Sequence, residues 1–543
     1  MRNKSKETPR RRAELVFGLV YGVGTGPDKV VRVLEDYLKQ FDYSPRVFRI
    51  SDYLRSLDLG IEFDDSSRAE LMHALMNAGD EARRRTGADN ILAVSAINDI
   101  LDNRLTDERG EPVASFNVAH IIRSMKRPEE VALLRTLYRP GFFLIGIASD
   151  DDAQESFLTK RSGLTGEEAL DVIARDRDDQ KTHGQRTRDT FYLSDVFLEL
   201  RESRYELQLE RFLELVFGRP FITPTKEENA MFMAYASAAR SAQLGRQVGA
   251  AIATPDGSVI GVGFNEVPSK HARPYCEDDQ DDARDHKVGK DSNYESRKKI
   301  IDSIVRGLDG KILDELKADQ IIRTTLQHIG TPKSEIAQQA HAILAELEGK
   351  KITTSLTEVQ RLIDGSDLRD VTEFGRAVHA EMDAILTCAR LGINTKGKHL
   401  FTTTFPCHNC TRHIIAAGIA KVTYIEPYPK SKAEALHSDA ICFDEDEAKE
   451  SGKIPFVPFV GVGPRRYLDL FSTQLTTGIA PELRDRDGKP VQWKRRSHRG
   501  PRVAMEPYSY LEREQKALDE NKAKLALLTK SGESKNGQST ASK

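Results

Sequence analysis

Cysteine is scarce, with five residues in a chain of 543. So few cannot form a disulfide framework for so long a chain, which points to a reducing cytosol. Tryptophan is scarcer still, a single residue at Trp493. An excess of one charge is also missing: 81 Lys and Arg face 84 Asp and Glu, for a net charge of −3. Such a balance gives no global basic field for a nucleic-acid backbone. Basic runs at Arg10–Arg12 and Lys494–Arg496 lie near the two ends. Long apolar runs are absent, and so is a secretory pattern at the start. These absences predict a cytoplasmic protein with no membrane partner.

What is present is 39% hydrophobic and 30% charged residues, a globular composition at a length that calls for two or more domains. Residues 1–13 read as a disordered lead. Over 14–215, apolar runs alternate with helical periodicity, the pattern of a parallel α/β layer. Predicted strands there are 15–21, Arg46–Ile50, Ala119–Ile122 and Phe142–Ala148. A long helical pattern runs from Arg68 to about Leu105. Arg175–Arg188 is dense in charge and reads as a mobile lid. A second domain, 226–475, opens on a helix and on a hairpin around the turn Pro255-Asp256-Gly257. It carries a mostly helical insertion at about 296–364. Phe456–Val462 reads as its last strand. Residues 476–543 form a polar extension, disordered at the end.

The run LVFGLVYGVGTG (15–26) is an apolar strand entering a glycine cluster, with helical periodicity from Asp28. Glycines there let backbone N–H groups approach a phosphate. Gly22, Gly24, Thr25, Gly26 and Lys29 are therefore candidate nucleotide-binding residues, for ATP or GTP with Mg2+. The run departs from G-x-x-x-x-G-K-[ST], because Pro27, Asp28 and Lys29 stand where Gly, Lys and Ser/Thr are wanted. A tight structural turn is the alternative.

The chemistry concentrates in two segments, His379-Ala380-Glu381 and Pro406-Cys407-His408-Asn409-Cys410. A catalytic zinc takes three protein ligands and keeps a fourth position open for water. His379, Cys407 and Cys410 are that set. Cys407 and Cys410 lie at i and i+3 at a predicted helix start, where the dipole favours thiolate. Glu381, two residues from His379, is close to the metal without needing to bind it. It is the candidate general acid and base. H-x-E…P-C-x-x-C is the pattern of zinc nucleobase deaminases, and attack of water at C4 of cytosine is the reaction expected here. A purely structural zinc is the bland alternative, but it has no use for Glu381. Cys276, with His271 and His286, is the candidate for a second, structural zinc.

These residues resemble the cytidine/deoxycytidylate deaminase family, and within it the large two-domain branch of anti-phage dCTP deaminases. The segments that carry the likeness are RQVGAAIATPDGSVIGVGFNEVP (246–268), EFGRAVHAEMDAIL (373–386), LFTTTFPCHNCTRHIIAAGIAKVTYIEPYPKSKA (400–433) and FVPFVGVGPRRYLDLF (456–471). The resemblance implies a kinase-like phosphate-loop domain followed by a zinc cytidine-deaminase-like α/β/α domain. It implies substrate contacts at Asn265, Ala380 and Tyr428, with Lys430 and Lys432 as candidates for phosphate. It implies hydrolysis of a free deoxycytidine nucleotide, dCTP or dCMP, to the uracil nucleotide and ammonia. In the branch this drains the dCTP pool during phage infection, under an inhibitory small RNA in some members, and the enzymes assemble as homo-oligomers. Alternative readings are a housekeeping dCMP deaminase supplying thymidylate, a nucleic-acid cytosine deaminase, and a nucleotide- or RNA-sensing defence switch.

Overall fold

The computed structural model describes residues 12–149, 151–177, 179, 182–200, 204–307, 374–426, 431–474, 479–495, 500–502 and 507–529. Most of the 296–364 insertion, Tyr428, Lys430, the first eleven residues and the tail beyond 529 lie outside them. The chain divides into two compact units. One is Met1–Phe232 with Tyr424–Pro427 and Pro458–Lys543, and the other is Met233–Thr423 with Tyr428–Val457. Both are α/β, and each is built on a six-stranded sheet.

In the first unit the strands are β1 (Leu15–Tyr21), β2 (Ser44–Arg49), β3 (Val118–Arg123), β4 (Phe142–Ala148) and β5 (Val196–Glu199). Their order is β5-β4-β1-β3-β2, all pairs parallel, with Gly461–Val462 antiparallel on the outer edge of β5. This is the parallel α/β layer that the alternating sequence pattern predicts. β1 shows why it forms. All seven of its residues are buried. Leu15, Phe17 and Leu19 enter a core with helices α1 (Asp28–Gln40) and Arg204–Val216 on one face. Val16 and Val20 enter another core on the opposite face. A strand buried on both faces reads as a continuous apolar run, because the period of two has no solvent side.

Three expectations change here. The helical run from Arg68 breaks into α2 (Arg68–Thr86) and α3 (Ile91–Asp102), because Gly87 takes φ +60° and ends the first. The strand expected over Phe456–Val462 is two strands. Ile454–Pro458 belongs to the second sheet and Gly461–Val462 to the first, with Gly461 at φ +126° between them. The charged stretch Arg175–Arg188 is packed, not a lid, among its described residues. Its charges meet internal partners: Arg175 holds Asp80 and Asp179, and Asp176 holds Lys126. Gln185 and Thr187 are buried.

The polar C-terminal extension contains a 23-residue helix, Pro507–Thr529. Tyr510, Leu511, Ala517 and Leu528 join the core under α3. Its Glu514 accepts from Arg104 Nε and Nη2 at 3.1 and 2.8 Å. The same guanidinium holds Glu14 at 2.6 Å, and His120 lies 3.2 Å from Glu14. All four side chains are almost fully buried. Pairing on this scale offsets desolvation without adding much net stability, but it penalises any other placement of the helix.

The second unit's sheet runs β10-β11-β9-β8-β6-β7. Its strands are β6 (Gly249–Ala253), β7 (Val259–Phe264), β8 (His399–Thr404), β9 (Lys421–Glu426), β10 (Ile441–Cys442) and β11 (Ile454–Pro458). β6 and β7 form the hairpin expected around Pro255–Gly257, and β6 also pairs antiparallel with β8. Helix α4 (Ala380–Arg390) lies against β7, and helix α5 (His408–Ala416) follows β8. Gly263 sets the first contact. A Cβ there would stand 2.3 Å from both Ala380 O and Ala384 N. Only a residue without a side chain lets α4 come this close.

Candidate metal and catalytic site

His379 and Cys407 are each the N-cap residue of a helix, His379 of α4 and Cys407 of α5. Both take an extended backbone before their helix begins, at ψ 155° and 163°. That turn points the side chain past the helix end rather than along its face. Cys410, one turn into α5, is fully buried. His379 Nδ1 lies 3.3 Å from Cys407 Sγ and 3.4 Å from Cys410 Sγ. The ligand atoms of His379, Cys407 and Cys410 all lie within 4.8 Å of one another. Tetrahedral zinc with its usual bond lengths separates a nitrogen and a sulfur ligand by about 3.6 Å, so the donor set and its spacing fit the ion. Two helix N-termini meet there and favour negative charge on sulfur or on a bound oxygen.

Glu381 sits in the first turn of α4 and is 4% exposed. Its Oε2 lies 3.4 Å from Cys410 Sγ and its Oε1 3.5 Å from Thr402 Oγ1. Burial, above all, raises the Glu381 pKa. The hydrogen bond with Cys407 raises His379 to about 9, and Cys407 is lowered by its bond with Cys410 and then by the imidazole. Cys410 is raised by the Cys407 contact and by burial. A dication needs a neutral imidazole and two thiolates, which is how thiolate sites couple metal uptake to proton release.

The other candidates fall differently. Ala380 is fully buried at the start of α4. The Asn265 amide holds backbone: its Oδ1 accepts from Val248 N at 2.7 Å and its Nδ2 donates to Arg246 O at 2.9 Å. This fastens residues 246–248 to the end of β7. Tyr428 and Lys430 lie outside the described residues, and Lys432 is half-buried. Cys276, His271 and His286 do not form a three-ligand group among the described residues. His379, Cys407 and Cys410 are the group so placed among the described residues. The acidic loop explains why. Cys276 N donates to Asp279, Arg273 pairs with Asp279, and His271 faces Asp281, so ion pairs organise the loop. Thr402 is absent from the sequence reasoning. Its one signal is parity along β8 with Thr404, which a β-strand period alone does not tie to Glu381.

Residues 224–426 match the family model described as the cytidine and deoxycytidylate deaminase zinc-binding region. The chain carries a cytidine and deoxycytidylate deaminase domain. Among curated relatives of this domain, ComE operon protein 2 of Bacillus subtilis (strain 168) is 47% identical over 53 residues, 10% of this chain and 28% of the relative. The deoxycytidylate deaminase of Enterobacteria phage T2 is 42% identical over 55 residues, 10% of this chain and 29% of the relative. The chain thus matches less than a third of these relatives' own length. A solved dCMP deaminase from the cyanophage S-TIM5 aligns over 44% of this chain and 100% of its own, at 15% identity and a TM-score of 0.20. Shikimate kinase from Acinetobacter baumannii aligns over 39% of this chain and 97% of its own, at 10% identity and a TM-score of 0.24. Among the described residues of the whole chain, no helix is long and apolar enough to cross a membrane.

Proposed function

We propose that the protein is a zinc-dependent hydrolytic deaminase of free deoxycytidine nucleotides, converting dCTP or dCMP to the uracil nucleotide and ammonia. The observation that carries this is the imidazole and two sulfurs within 4.8 Å of one another, with a buried carboxyl 3.4 Å from one of the sulfurs. His379, Cys407 and Cys410 would hold the zinc ion. Zinc bound by three protein ligands lowers the pKa of water to about 7 and so supplies a nucleophile at neutral pH. Glu381 accepts a proton from the attacking water and passes it to ring N3 as the C4–O bond forms, then takes the proton of the new C4 hydroxyl and gives it to the amine, so that the C4–N bond breaks and ammonia leaves. Burial keeps the Glu381 pKa above the ordinary carboxyl value, which brings it closer to working pH.

The preference for a free nucleotide rests on charge. With a net charge of −3 and a single tryptophan, the chain offers little to hold a strand by backbone charge or base stacking. An anti-phage role, by draining the dCTP pool, rests on the likeness to the two-domain branch. Housekeeping supply of dUMP is the second reading, favoured by the names of the deoxycytidylate deaminase relatives. One assay separates them. Pure protein is given dCTP, dCMP, CTP and a cytosine-containing single strand, and uracil products are followed. Turnover of dCTP supports pool depletion, and dCMP alone supports supply. Cys407→Ser should lose zinc by elemental analysis. Full activity in metal-stripped protein or in Glu381→Ala would refute the proposal.

A further inference from the structure

We propose that the Asp176 carboxylate is the resident anion of the N-terminal glycine loop, standing where such a loop otherwise takes a phosphate. The loop, Gly22–Gly26, follows β1, the strand with β3 on one side and β4 on the other. In doubly wound sheets that reversal is where ligands sit, beyond the carboxyl ends of the strands. The backbone there is shaped to receive an anion: Gly24 and Gly26 take φ +79° and +67°, and Thr25 N closes a turn on Gly22 O at 3.2 Å.

The anion is already supplied by the chain. Val23 N–H donates to Asp176 Oδ2 at 3.0 Å. Lys126 Nζ reaches both oxygens of the same carboxylate, at 2.9 and 3.0 Å, and also donates to Tyr21 O at 2.7 Å. One backbone donor and one ammonium are what a loop of this kind offers a phosphate oxygen. The Asp176 side chain is 4% exposed. The helix Asp151–Ser162 covers the glycines. Gln154 O would stand 2.8 Å from a Cβ on Gly24, and the Phe157 ring 2.8 Å from one on Gly26.

The groups a nucleotide would need do not fit. Asp28, in the position wanted as lysine, is paired with Arg123 at 2.9 Å. Lys29 is exposed, and no hydroxyl follows it to hold magnesium. The ATP or GTP and Mg2+ expected at Gly22, Gly24, Thr25, Gly26 and Lys29 are therefore not what these residues are arranged for. The loop instead tethers the helix Gly166–Arg177, which carries Asp176, to the head of the sheet.

The test is anion rescue in the full-length protein. Thermal unfolding is followed for wild type, Asp176→Ala and Asp176→Asn in inorganic phosphate, pyrophosphate, Mg-ATP, or sodium chloride of matched ionic strength. Wild type should be indifferent to phosphate, pyrophosphate and ATP at millimolar concentration. Asp176→Ala should melt several degrees lower and regain most of the loss in pyrophosphate but not in chloride. Adding Lys126→Met should abolish the rescue. Should Asp176→Ala not fold, Asp176→Asn keeps the shape and should show the same loss and rescue. Stabilisation of wild type by ATP or pyrophosphate, or wild-type melting in both variants, would overturn the proposal.

Discussion

At the scale of single residues, Glu381 and Gly263 carry the sharpest consequences. Glu381→Gln keeps size and removes the titrating group. Its zinc content should stay at wild-type level by elemental analysis while deamination falls by about 10²–10⁴-fold, the usual contribution of a general acid and base. Loss of zinc in that variant would show that the carboxylate is a ligand instead. Gly263→Ala places a methyl 2.3 Å from the backbone of α4. Overpacking of this kind costs about 1–3 kcal/mol, to be read from denaturant unfolding, and it should move His379 enough to weaken zinc retention. The metal set was legible in sequence because its spacing is local: His379 with Glu381, Cys407 with Cys410. Thr402 was not, since only the packing of β8 against α4 brings it to Glu381. Asn265 was legible as a polar residue after a strand, but its backbone partners Val248 and Arg246 depend on how the hairpin end closes.

At the scale of elements, the C-terminal helix bears on pH. Burial pushes Glu514 up to about 6 from 4.5. The folded state therefore holds this proton more tightly than the unfolded chain does. The stability it contributes is complete below about pH 4.5 and is lost as pH rises through about 6, a change on the order of 2 kcal/mol. Glu14, lowered by its contacts with His120 and Arg104 against the opposing effect of burial, acts in the opposite sense. Its contribution is present above its ordinary value of 4.5 and fades as pH falls below it. Glu514→Gln should flatten the stability profile between about pH 4.5 and 6 and leave the acid limb in place, measured by denaturant titration across pH. An unchanged slope in that window would count against the buried Glu514–Arg104–Glu14–His120 cluster. The helix itself escaped sequence analysis because its stretch is mostly polar. Its apolar contacts are few, and they matter only where Tyr510 and Leu528 find the core under α3. The split of Phe456–Val462 was equally hidden. One apolar run serves two sheets, and what separates them is the backbone of Gly461.

At the scale of the whole molecule, charge and metal set the expectations. A chain at net −3 should bind single-stranded DNA weakly at physiological salt, so fluorescence anisotropy should show no saturation at micromolar protein. Tight binding would favour nucleic-acid editing over free nucleotide. On the proposed reading zinc prefers the folded site to the unfolded chain, so a chelator should lower thermal stability in wild type and hardly at all in Cys407→Ser. By itself the sequence determined the strand–helix alternation, the deaminase motif and which residues are candidate ligands, because periodicity and short spacings are properties of neighbouring residues. Tertiary structure alone decided which carboxylate reached the glycine loop, that Cys276, His271 and His286 form no three-ligand group among the described residues, and where the helix Pro507–Thr529 lay. Each of those depends on contacts between residues tens to hundreds of positions apart, and only packing selects them.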